Sequence, residues 1–122
     1  MEKNIVCKNG ISIAIIQGEE LVITDTQSAL DLLATIDYFD NCQRIALYKE
    51  TVIEDFFKLS TGLAGDILQK FATYSKKLAI IGDFSIYTSK PLKAFIYECN
   101  RGNQIFFVAN EQEAVEKLST VV

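Results

Sequence analysis

The chain has 122 residues, 49% of them hydrophobic, and a formal net charge of −4, which suits one domain over residues 1–122 closing a single core. Its acidic charge is dispersed and contains no Lys/Arg run able to follow a phosphate backbone, which speaks against nucleic acid, and no stretch reaches the roughly 20 apolar residues of a membrane span. The absence of histidine removes the imidazole proton shuttle, the Ser-His-Asp triad and the Cys-His dyad.

Asn4 to Lys8 and Ile11 to Gln17 are β-rich runs separated by Asn9-Gly10, the dipeptide best suited to a type I′ turn, and they predict an N-terminal hairpin. The lead-in Met1-Glu2-Lys3-Asn4 is no signal-peptide core, so the expected location is cytoplasmic. Gly18-Glu19-Glu20 breaks the run, and Leu21-Val22-Ile23 reads as a third short strand before Thr24 or Asp25 caps a helix. In that helix Ala29, Leu32, Leu33, Ile36 and Phe39 recur at helical spacing and predict its buried stripe.

Arg44 to Tyr48 is a short apolar strand, followed by an irregular stretch through Phe56-Phe57. A second helix is expected from Ser60 as cap, with Leu63, Ala64, Ile67, Leu68 and Phe71 on its buried face. Gly62 and Gly65 fall inside it, each costing about 1 kcal/mol against alanine, which suggests that a packed strand or a partner backbone comes close to them. Leu78-Ala79-Ile80-Ile81 is apolar at both parities, as a strand covered on both faces should be, and Gly82-Asp83 ends it.

A third helix opens at Thr88-Ser89-Lys90-Pro91 with Ser89 as cap, buries Leu92, Phe95, Ile96 and Cys99, and is closed by Gly102 in the left-handed region. Ile105 to Ala109 is the last strand, in which one of Phe106 and Phe107 can face outward. Asn110 with Glu113 resembles a capping box opening a final helix that carries Ala114, Val115 and Leu118. The order predicts an α/β fold, a mixed sheet of five to six strands with about four helices, in which a hairpin precedes alternating helices and strands. Cys7, Cys42 and Cys99 lack zinc-ligand spacing and are expected to be buried, so neither metal nor cofactor is anticipated.

Ligands of such folds bind beyond the carboxyl ends of the strands. Lys49-Glu50-Thr51, Lys58 to Gly65 and Gly82 to Lys90 are the segments that meet there. Ser60-Thr61-Gly62 sets two hydroxyls and a glycine at a helix start, where unpaired amides favour an anion or phosphoryl group, although a plain N-cap explains them too. The Gly-Lys-Ser/Thr ending of a phosphate-binding Walker loop is missing. Asp83, Ser85, Tyr87, Thr88, Ser89 and Lys90 form the densest polar cluster; a Lys beside Tyr and Ser can serve proton transfer, and a solvated loop is the plain alternative.

The block Leu59-Ser60-Thr61-Gly62-Leu63, between a strand and a helix, resembles the Asp-Ser-Ser-Gly-Leu motif of the STAS domain, the sulfate transporter and anti-sigma factor antagonist family. Gly18-Glu19-Glu20-Leu21 is similar to that family's Gly-Glu-Leu turn before its first helix. The resemblance implies a STAS-like fold and a regulatory role in which a partner kinase, itself an anti-sigma factor, phosphorylates the second hydroxyl of the motif, here Thr61. Leu59 stands where the motif has aspartate, a departure in the kinase-recognition element. The run from Phe56 to Phe71, with Gly82-Asp83-Phe84-Ser85 and Tyr87-Thr88-Ser89-Lys90, also resembles a bacterial family without assigned activity.

The leading expectation is therefore a non-enzymatic module that binds a protein partner through Ser60, Thr61, Gly62 and Gly65, with Thr61 as a phosphoswitch. The alternative is a small anionic-ligand-binding protein or a histidine-free enzyme using Asp83, Ser85, Tyr87, Ser89 and Lys90, with Lys49, Lys90 or Arg101 holding the anion. A third option is a homodimer pairing helix faces rich in Phe and Tyr.

Overall fold

The computed structural model describes residues 1–121. Asn9 and Gly10 both take positive φ, 55° and 76°, and this type I′ turn joins β1 (Glu2–Lys8) to β2 (Ile11–Gln17) in antiparallel register from Lys8 opposite Ile11 to Glu2 opposite Gln17. The remaining strands, β3 (Arg44–Tyr48), β4 (Lys77–Ile81) and β5 (Ile105–Val108), follow β2 in parallel, and the sheet order is β1-β2-β3-β4-β5. The fold is α/β with a five-stranded mixed sheet.

Period-two alternation divides the parallel strands between two cores. Ala14, Ile16, Ile45, Leu47, Leu78, Ile80, Ile105 and Phe107 face α1 (Thr26–Asp40), α2 (Leu63–Thr73) and α3 (Lys90–Arg101). Ile13, Ile15, Ala46, Ala79, Ile81, Phe106 and Val108 face α4 (Glu111–Thr120). One helix covers the second face because its centre is flat: Ala46 and Ala79 lie side by side in register beneath it. Both phenylalanines of β5 are therefore buried, Phe106 under α4 and Phe107 under α3, and neither faces outward.

The caps account for most of the helix limits. Asp25 accepts the Ser28 amide at 2.8 Å and opens α1. Ser89 caps α3 with Pro91 in the first turn, and Asn110 caps α4 while Glu113 reaches back to the Ala109 amide at 3.2 Å. Arg44 closes the other end of α4 by donating to the carbonyls of Leu118 and Val121.

Several local expectations are corrected. Leu21-Val22-Ile23 is not a strand: the segment makes a single parallel bridge among the described residues, Ile23 to Val52, since the four residues between Glu20 and the Asp25 cap leave no length for a ladder. Ser60 is not the cap of α2, which starts at Leu63 after Gly62 in the left-handed region, φ 77°. A Cβ on Gly62 or Gly65 would meet no atom within 4 Å, so no close neighbour explains either glycine. Gly102 ends α3 at φ −90°, outside the left-handed region. Phe39 is 71% exposed, because the buried stripe of α1 ends at Ile36 and the last turn reaches β1 through Asp40, which pairs with Lys3. Of the cysteines Cys42 is buried, Cys99 half-buried and Cys7 exposed, for β1 is uncovered along nearly its whole length.

Candidate functional site

Four parallel strands end on the same side of the domain, and the loops that leave them build the site. After β3 the chain coils through three short 3-10 turns, Lys49–Thr51, Glu54–Phe57 and Leu59–Thr61. Thr51 is fully buried; its hydroxyl donates to the Tyr48 carbonyl at 2.7 Å and its carbonyl accepts the Val22 and Ile23 amides at 2.7 and 3.0 Å. The loop after β2 is thereby clamped to the loop after β3.

Lys49 occupies the centre. A Cβ on Gly82 would stand 2.8 Å from the Lys49 Cβ, so only glycine at the end of β4 lets this side chain cross. The Lys49 ammonium then lies 5.4 Å from the Phe57 ring centroid, 5.2 Å from that of Tyr87 and 3.4 Å from Glu54 Oε1. Phe57 and Tyr87 stack at 5.1 Å, and the Tyr87 hydroxyl donates to Glu54 Oε2 at 2.7 Å. Burial pulls the Lys49 pKa down, but Tyr87 and Glu54 outweigh it and the net displacement is upward. Burial also raises the Tyr87 hydroxyl, with Lys49 opposing and Glu54 assisting. Both groups are thus shifted upward, with the Lys49 ammonium and the Tyr87 hydroxyl held against one carboxylate, Glu54.

The polar cluster of Asp83 to Lys90 is divided by the fold. Asp83 accepts both the amide and the hydroxyl of Ser85, at 3.0 and 2.6 Å, and these bonds, aided by the Lys49 charge, lower its pKa. Ser89 is held by the Leu92 amide as the cap of α3, and Lys90 stands exposed in that helix's first turn. Arg101 lies at the opposite end of α3, over the Tyr97 ring at 5.5 Å; eleven helical steps, about 16.5 Å of rise, separate it from Lys90. Arg101 and Lys90 are thus not brought together.

Thr61 and Ser60 sit on the rim. Thr61 Oγ1 is 2.9 Å from the carbonyl oxygens of both Asp55 and Lys58, and it accepts the Leu63 amide at 3.2 Å. One exposed hydroxyl thereby joins the second and third 3-10 turns to the start of α2. Ser60 lines a cleft of about 530 Å³ together with Glu54, Phe57, Tyr87, Thr88 and Ser89, so the two groups of candidate residues share one surface. A second cleft of about 630 Å³, over Phe84 and Phe107, carries the carboxylates of Glu50, Asp83 and Glu113. Beside it the Tyr48 hydroxyl donates to Glu111 at 2.8 Å, and that bond, with burial and the nearby carboxylates, pushes its pKa up to about 12.

A family model described as a domain of unknown function, DUF4180, matches residues 8–118. The chain belongs to that family. No curated protein shows significant similarity to it. The DUF4180 match runs from the last residue of β1 into α4 and so contains every residue of the site.

Sequence reasoning missed Glu54, which holds both Lys49 and Tyr87, because it lies in a stretch without periodicity where a lone carboxylate gives no signal. The need for Gly82 was also hidden, since a close approach by Lys49 depends on the parallel pairing of β3 with β4. Among the described residues no helix is long and apolar enough to cross a membrane, and no cluster of three or more acidic or cysteine side chains has metal-binding geometry.

Proposed function

We propose that this domain is a non-enzymatic regulatory module of the STAS-like kind, which binds a protein partner through residues 58–65 and the first turn of α2, with Thr61 as its switch. The observation that carries the reading is the Thr61 hydroxyl, which is exposed at the surface and yet joins Asp55, Lys58 and Leu63. A phosphoryl group there would remove the only hydrogen that Oγ1 can donate and add about −2 charge ahead of the helix. The amides of the first turn of α2 favour that charge, while the 3-10 turns lose the bond that ties them together. Phosphorylation would therefore change both the charge and the conformation of one exposed loop and leave the two cores intact. Ser60, exposed beside it, and Lys58 complete the surface that a kinase or anti-sigma-like regulator would read.

The test is an affinity capture from lysate of the native organism, read by mass spectrometry, with wild-type, Thr61→Ser and Thr61→Glu baits. A partner retained by wild type and Thr61→Ser and lost by Thr61→Glu is expected. Equal recovery on all three baits would sink the switch, and the cleft between Ser60 and Tyr87 would then be the better site, for a small ligand.

A further inference from the structure

A two-residue type I′ turn closes on a hydrogen-bonded pair, here Lys8 with Ile11. Counting back along β1, the even residues Glu2, Asn4, Val6 and Lys8 direct their backbone groups to β2. Lys3, Ile5 and Cys7 direct theirs outward from the sheet. The strand has seven residues, contains no proline, and keeps an unbroken register with β2, so it lacks the usual devices that blunt an edge. Its two lysines do not obstruct the edge either. Lys3 is drawn over one face to Asp40 of α1 at 2.6 Å, and Lys8 over the other to Glu116 of α4 at 2.6 Å.

We propose that this edge is a homodimer interface, in which two copies pair their β1 strands antiparallel about a twofold axis at Ile5 and join two five-stranded sheets into one of ten strands. The sequence of the strand selects a second copy of itself. Outward backbone groups meet only if odd residues face odd residues, which rules out a shift by one. Among the remaining registers, the one centred on Ile5 pairs all seven residues. It sets Ile5 against Ile5 of the second copy, Lys3 against Cys7, and Glu2 against Lys8 at both ends. Shifting by two in either direction leaves Glu2 opposite Val6 or Gly10 and loses both charge pairs. Opposite charges directly across an antiparallel pair are stabilising, so the full-length register is also the charge-complementary one. The axis stands perpendicular to the sheet, so the α1 helices of both copies lie on the same side. Ile5, 43% exposed, is covered there by its symmetry mate.

The test is light scattering coupled to size exclusion over a range of concentrations. Wild type is expected at twice the chain mass. Ile5→Pro, which removes an outward amide that the fold itself does not use, is expected at the monomer mass with an unchanged circular dichroism spectrum. Should that variant fail to fold, charge reversal decides: Glu2→Lys or Lys8→Glu alone weakens association several-fold, and the two together restore it. In a Cys7→Ser background Ile5→Cys is expected to crosslink on oxidation, since hydrogen-bonded antiparallel partners lie within disulfide reach, and Asn4→Cys is not. A wild type that stays monomeric at high concentration overturns the interface. So does a dimer that ignores both charge reversals, or an Ile5→Cys chain that crosslinks no faster than Asn4→Cys.

Discussion

The two edges of the sheet, β1 and β5, are built on opposite plans. β5 has four residues, all buried, with a helix packed on each face, and its outer rim is closed by a side chain. Asn100 of α3 accepts the Phe107 amide at 2.7 Å and donates to the Phe107 carbonyl at 3.2 Å, so one carboxamide stands where another strand would pair. β1 has seven residues, most of them exposed, and no side chain among the hydrogen bonds of the described residues caps its outer amides. The contrast teaches that an edge can be closed within the chain by one well-placed amide, and that length, register and charge are retained where no such group is present.

Matched truncations at the two edges should give the largest difference. Ile105→Ala removes a side chain 1% exposed between β5 and α3 and is expected to cost about 2–5 kcal/mol. Ile5→Ala, at a position 43% exposed, is expected to cost under about 1 kcal/mol when urea unfolding is followed at concentrations where the chain is monomeric. Similar costs at the two sites would break the comparison.

Asn100→Ala should come next. It leaves the amide and carbonyl of Phe107 without partners beneath α3, at about 1–3 kcal/mol in the same unfolding experiment. It should also open β5 to pairing, seen as concentration-dependent association that persists when β1 is blocked by Ile5→Pro. A variant as stable and as monodisperse as its parent would show that the carboxamide closes nothing.

The smallest effect belongs to the exposed ion pair between β1 and α4. The Lys8 hydrogen bond and charge hold the Glu116 pKa below the ordinary carboxylate value. A depressed carboxylate adds stability above its unfolded pKa and loses it as pH falls through its folded value. Lys8→Ala should therefore raise the Glu116 pKa, followed by side-chain carbonyl NMR through the acid range, and should leave unfolding at neutral pH nearly unchanged, as solvent-exposed pairs do. A Glu116 titration unmoved by the substitution would dissolve the pair.

Chain-local features could be read without the structure. The Asn9-Gly10 hairpin, the caps at Asp25, Ser89 and Asn110, and β3 from Arg44 to Tyr48 each rest on interactions within a few residues, so neighbouring side chains suffice to determine them. The reading failed where a local signal competed with a longer-range one. Ser60 carries a capping side chain, but the hydroxyl of Thr61 draws residues 59–61 into a 3-10 turn and delays α2 to Leu63. Leu21 to Ile23 has strand composition, but among the described residues its one bridge partner is Val52, just beyond a turn.

By itself the sequence determined the α/β class of the fold, the burial of Leu78 to Ile81 on both faces and the surface on which Ser60, Thr61 and the Asp83-to-Lys90 loop would stand. Those follow from apolar periodicity and turn chemistry, which act over a few residues. Tertiary structure alone decided that Lys49 lies across Gly82 into the grip of Glu54 and Tyr87, and that Asn100 seals one edge of the sheet while β1 keeps the other open. Each of these joins side chains from different elements of the fold, and such contacts exist only once the strands have chosen their neighbours.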